Sequence, residues 1–79
     1  MTREQLEQCL KAFPSVEPNS VHVAGDGSFV AKMTVRDFDE LDDADRQERV
    51  YAFLRSQFAS ELHQVEFIIV DAPNDEQAQ

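Results

Sequence analysis

Few side chains in this sequence could do chemistry near neutral pH. There is one cysteine, Cys9, there are two histidines, His22 and His63, and six of the nine residues from Asp37 to Asp45 are acidic. One cysteine allows neither an internal disulfide nor a multi-cysteine zinc cage. Cys9 also shares helical spacing with Leu6, Leu10 and Phe13, which marks it as a small apolar-face residue and not a reactive thiol. The acidic run lacks the alternating carboxylates, the glycine and the closing glutamate that wrap calcium, so it reads as a solvated loop and helix cap. No Ser/His/Asp arrangement, nucleotide loop or paired-cysteine motif is present, and Gly25 and Gly27 are the only glycines. The expectation is a protein that is not an enzyme and holds no cofactor alone. His63 falls between a helical stretch and a strand, where side chains emerge at an edge. His22 lies mid-strand, opposite in parity to Val21 and Val23, and by position alone a lone histidine at either place is more often neither ligand nor catalyst.

The elements that must position these residues can be read from periodicity. Thr2 with Gln5 has the capping-box pattern, and Leu6, Leu10 and Phe13 carry a helix over about residues 3–13 until Pro14 ends it. Residues 14–19 have loop composition. The runs 21–24 and 29–36 alternate on either side of Gly25-Asp26-Gly27-Ser28, a hairpin whose second strand turns Phe29, Ala31, Met33 and Val35 to the core. Asp42 or Asp43 can cap a helix over about 44–59. One side of this helix carries Gln47, Val50, Tyr51, Leu54 and Phe58, with Phe53 beside them, and the other carries Arg46, Glu48, Arg49 and Arg55. A third strand spans 65–70. Strand, helix and strand in succession imply a right-handed crossover, with the third strand parallel to the second. The fold class is therefore α+β, with a two-layer α-β-β-α-β order and the helices on one face of a three-stranded mixed sheet. Residues 1–76 form the single domain and 77–79 a disordered tail.

Charge narrows the partners. Seven basic and sixteen acidic side chains give a net charge of −9, a field that repels phosphate backbones and anionic lipid. The apolar run 67–70 is far shorter than the roughly 20 residues of a membrane helix, and the first residues lack signal-peptide character. These features predict a cytoplasmic protein, with nucleic acid and membranes disfavoured as partners.

Val21-His22-Val23-Ala24-Gly25-Asp26-Gly27-Ser28, then Phe38, Arg46, Val50-Tyr51, His63 and Pro73, occur in an order and at a spacing that resemble the BolA family, over about residues 5–76. That resemblance implies a fold similar to the class II KH domain. It also implies a monothiol glutaredoxin, or another iron–sulfur or redox factor, as partner, in stress or iron homeostasis. Some family members share a [2Fe-2S] cluster with the glutaredoxin, using the histidine before the last strand and a histidine or cysteine in the hairpin turn. His63 matches the first position, and His22, one strand away, is the substitute for the second. The turn itself reads Ser28-Phe29 where the family has Ser-His-Phe. Glu40 stands in place of a usual loop glycine and Glu48 in place of a usual helix arginine, while Asn74-Asp75-Glu76 replaces a common Glu-Glu-Trp.

The leading expectation is thus an adaptor that binds a protein through His63 and the surface around it, as a monomer or a weak homodimer. The alternative is a KH-like nucleic-acid-binding transcriptional regulator, against which stand the acidity and the missing GxxG clamp. Strand alternation adds a second surface. With Val65, Phe67 and Ile69 turned inward, Glu66, Ile68 and Val70 face out, and Ile68, Val70 and Val30 with His22 form an apolar contact patch on the helix-free side of the sheet.

Overall fold

A computed structural model of the chain describes residues 1–74. The end of the expected domain at 76 and the expected tail at 77–79 lie outside the described residues. The chain runs through helix α1 (Arg3–Lys11), strands β1 (His22–Gly25) and β2 (Phe29–Thr34), helix α2 (Asp43–Phe58) and strand β3 (Val65–Asp71). Short 3-10 turns at Pro18–Ser20, Arg36–Phe38 and Leu62–Gln64 join them. β2 is central, antiparallel to β1 and parallel to β3. The fold is an α+β arrangement of two helices and a three-stranded mixed open sheet.

Local chemistry explains most of the boundaries. The Thr2 side chain accepts from the Gln5 amide, and the Gln5 side chain accepts from the Thr2 amide, closing the capping box that starts α1. That helix stops at Lys11, two residues earlier than the apolar spacing predicts. The Phe13 amide already bonds in 3-10 fashion to the Leu10 carbonyl, and Pro14 disfavours the helical conformation of the residue before it. Asp42 caps α2 by accepting from the Asp45 amide at 2.9 Å. In the hairpin turn Gly25 has φ 115° and Gly27 φ 85°, values that side chains resist. A Cβ on Gly25 would sit 2.0 Å from the Ser28 carbonyl oxygen.

Leu6 and Leu10 from α1 meet Phe29, Ala31 and Met33 from β2, Val50 and Leu54 from α2, and Val65, Ile68 and Val70 from β3 in one core. Phe13 stacks edge-on against Phe38 and Phe53, with ring centroids 5.7 and 5.2 Å away, and closes the core beyond α1. Both helices lie over the face bearing Ala31 and Met33. The opposite face has no covering element among the described residues.

Candidate partner-binding surface

The decisive local feature is an irregularity where β3 starts. Phe29 pairs with Val65, but its neighbour Val30 pairs with Phe67, so Glu66 is an extra residue with no partner on β2. A strand that slips by one residue exchanges its faces. Before the slip Val65 points into the core. After it Ile68 and Val70 do, at 2% and 5% exposure, while Phe67 and Ile69 point outward at 51% and 47%. This corrects the partition expected from plain alternation. Ile68 and Val70 are core residues and cannot contact a partner from the open face, and Phe67 and Ile69 stand where they were expected. Val30 is half-buried on that face, and His22 is exposed there as expected.

Register lays the open face out in rows. Ala24, Val30 and Phe67 form one row, and His22, Lys32 and Ile69 form the next. Between them lies a shallow hollow of about 270 Å³, lined by His22, Ala24, Val30, Lys32, Phe67 and Ile69 together with Val23 and Ala31. The Lys32 ammonium lies 3.9 Å from the Asp71 carboxylate, so its charge is met within the face.

The free edge of β3 is treated differently from its face. The Val35 amide donates to the Asp71 carbonyl, which fixes the backbone groups of Asp71 toward the β2 side. In an extended strand successive residues turn these groups to opposite sides, so the carbonyls of Ile68 and Val70 face the open edge. α2 caps both. Gln47 donates its side-chain amide to the Ile68 carbonyl, and Arg46 donates Nη1 to the Val70 carbonyl at 3.3 Å while its Nε donates to the Leu41 carbonyl at 2.9 Å. Arg46 is only 6% exposed, although helical spacing placed it on the solvent side with Glu48, Arg49 and Arg55. Its guanidinium satisfies buried backbone acceptors, and this is reason enough for an arginine to leave the surface. An added strand would have to displace these two caps, so the edge is guarded while the face is open.

His63 is exposed in the turn Leu62–Gln64, directly before β3. Phe29 is the register partner of both Val65 and Gly25, so His63 lies at the same end of the sheet as the hairpin turn. His22 does not join it there. It pairs with Lys32, three positions farther along β2, which is about 10 Å along the strands and about 10 Å across two strand spacings. The two histidines therefore occupy separate places, and the turn residues Asp26, Gly27 and Ser28 bring no imidazole or thiolate to His63. Cys9 belongs to α1, half-buried against the core, and burial pushes its thiol pKa up, away from the reactive thiolate. Among the described residues no group of three or more His, Cys, Asp or Glu side chains could close on a metal ion. Among the described residues His63 brings one imidazole to that end of the sheet, a single donor where a cluster takes several.

A second hollow, of about 340 Å³, lies between the end of α1 and the start of α2, where Asp37, Glu40 and Arg49 border Phe13 and Phe38. Ser15, in the left-handed region at φ 65°, closes its rim through a hydrogen bond to the Asp37 carboxylate. The charges of both signs in it are exposed, and nothing there converges on a reacting atom. No helix among the described residues is long and apolar enough to cross a membrane. Compared with known proteins, the chain matches no family model, no curated protein and no solved structure.

Proposed function

We propose that the chain is a small BolA-like adaptor with a class II KH-like fold, without enzymatic activity. It binds a monothiol glutaredoxin or another iron–sulfur or redox factor in the cytoplasm. The observation that carries this reading is the position of His63, an exposed imidazole on a short turn directly before a parallel third strand, beside the hairpin turn. The element order and the mixed sheet are those the resemblance implies, and they support the reading without depending on any metal. In this chain His63 acts as a contact residue and as at most one ligand to a cluster that the partner holds. The hairpin-turn position of cluster-sharing relatives has no counterpart here, so the adaptor role is weighted toward protein contact. The nucleic-acid alternative has little positive surface to draw on, because Arg46 is buried and only Arg49 and Arg55 of the α2 arginines are exposed.

The test is spectroscopic. A monothiol glutaredoxin carrying a [2Fe-2S] cluster is mixed with the chain, and visible circular dichroism of the cluster is followed. A changed spectrum with the wild-type chain, reduced or abolished by His63→Ala, supports the reading. An unchanged spectrum at about 100 μM of each protein, where even weak complexes form, overturns it for this partner class.

A further inference from the structure

The helix-free face of the sheet has a shape, a size and a charge setting that identify what it can hold. Its centre is apolar. Phe67 and Ile69 are half-exposed, Val30 and Ala24 lie beside them, and the hollow between them measures about 270 Å³, room for one or two large side chains. Large apolar side chains at this exposure, adjacent and on one face, mark an interaction surface more often than chance.

Three observations select the occupant. The first is area. Three strands at about 4.8 Å spacing and six residues at about 3.3 Å give a face of about 14 by 20 Å, or about 280 Å², whereas a stable protein pair buries about 800 Å² on each side. Stacking two copies through this face alone leaves most of that area unmet. One helix, about 10 Å wide and rising 1.5 Å per residue, covers the same face with about 13 residues. The second is the guarded edge. Arg46 and Gln47 occupy the outward carbonyls of β3, so a partner cannot reach Phe67 and Ile69 by adding a strand there. The third is charge. On the face the Lys32 ammonium is already met by the Asp71 carboxylate, and the whole chain carries −9. The flanks of an occupant are therefore drawn in when they are basic.

We propose that the open face of the sheet docks one amphipathic helix of a partner protein. Its apolar side seats on Phe67, Ile69 and Val30, and its flanks carry lysine or arginine. Docking adds a third layer and turns an open two-layer sheet into a covered one. This rests on the reading of the chain as a partner-binding module, but it uses a surface separate from His63.

The probe is an acetylated, amidated 14-residue peptide with leucine at i, i+3, i+4 and i+7 spacing and lysine elsewhere, together with its glutamate counterpart. Binding to the intact chain is followed by fluorescence anisotropy and by amide chemical shifts. The lysine peptide should bind one to one, with shifts concentrated in β1, β2 and β3. Ile69→Ser and, independently, Phe67→Ser should each weaken it about tenfold or more, with far-UV circular dichroism unchanged. Both variants should keep the His63-dependent response to the glutaredoxin, so failure of this proposal and failure of the adaptor reading give different results. Four outcomes overturn it: equal binding to wild type and both variants, which would place the peptide on the acidic helices; equal or tighter binding of the glutamate peptide; unfolding of both variants; or a concentration-dependent dimer dissolved by Ile69→Ser, which would assign the face to a second copy.

Discussion

Truncating Ile68 and truncating Ile69 should have sharply different consequences, although the two residues are adjacent and chemically identical. The Ile68 side chain is 2% exposed, so Ile68→Ala removes three carbons from the core. At about 0.8 kcal/mol for each buried methyl or methylene, that is about 2.4 kcal/mol of transfer free energy, and the cavity raises the cost to about 3 kcal/mol. Ile69 is 47% exposed, so the same substitution removes about half the transfer term and leaves no cavity, for a total of about 1 kcal/mol. The chain has no tryptophan, so urea unfolding is followed by far-UV circular dichroism. With a slope of about 1 kcal/mol per molar, the midpoint should fall by about 3 M for Ile68→Ala and by about 1 M for Ile69→Ala. Lysine sharpens the contrast. At position 68 it would bury an ammonium and abolish folding in a domain of this size, whereas at 69 it should be tolerated within about 1 kcal/mol. Equal costs at the two positions, or a larger cost at 69, would refute the bulge at Glu66 and restore the plain alternation.

Arg46→Met keeps the volume but removes the donors to the Leu41 and Val70 carbonyls; it should destabilise by about 2–4 kcal/mol in the same assay, and a loss below about 1 kcal/mol would contradict the edge-capping role. Gly25→Ala forces a Cβ against the Ser28 carbonyl as well as a positive φ, so it should cost clearly more than Gly27→Ala, where space is open and only the roughly 1 kcal/mol of backbone strain applies. Burial pushes the pKa values of both Cys9 and Tyr51 up, so each is neutral in the folded chain over a wider pH range than in the unfolded one. The stability they contribute is full below their ordinary values and is lost as pH rises through the raised ones. The thermal unfolding midpoint should therefore fall above about pH 9, and Cys9→Ala should reduce that loss.

Much of the fold was legible because each signal was local. Thr2 and Gln5 mark a helix start, Gly25 and Gly27 mark a turn that only positive φ can make, and the alternation of Phe29, Ala31 and Met33 survives intact. β3 was not legible to the same degree. In Ile68-Ile69-Val70 both parities are apolar, so nothing in the residues says which side is buried, and the slip at Glu66 is imposed by how β3 fits against β2. That one unpaired residue moved Phe67 and Ile69 out and Ile68 and Val70 in. The run of apolar residues at both parities was the available signal that both faces of the strand are apolar. Arg46 was missed for a related reason. Helical spacing assigns a face, but it does not reveal that the Val70 carbonyl, distant in sequence, needs a donor. His22 and His63 were placed correctly as exposed, because each is fixed by immediate neighbours; their separation depends on register, which spacing alone does not determine.

The adaptor role can be tested most directly by isothermal titration of the chain into a monothiol glutaredoxin, with and without its cluster. One-to-one binding with a micromolar dissociation constant is expected. His63→Ala should weaken it about tenfold, which is about 1.4 kcal/mol, and Ile69→Ser should leave it unchanged. The absence of measurable heat for both forms at about 100 μM, or binding that does not respond to His63→Ala, would contradict it.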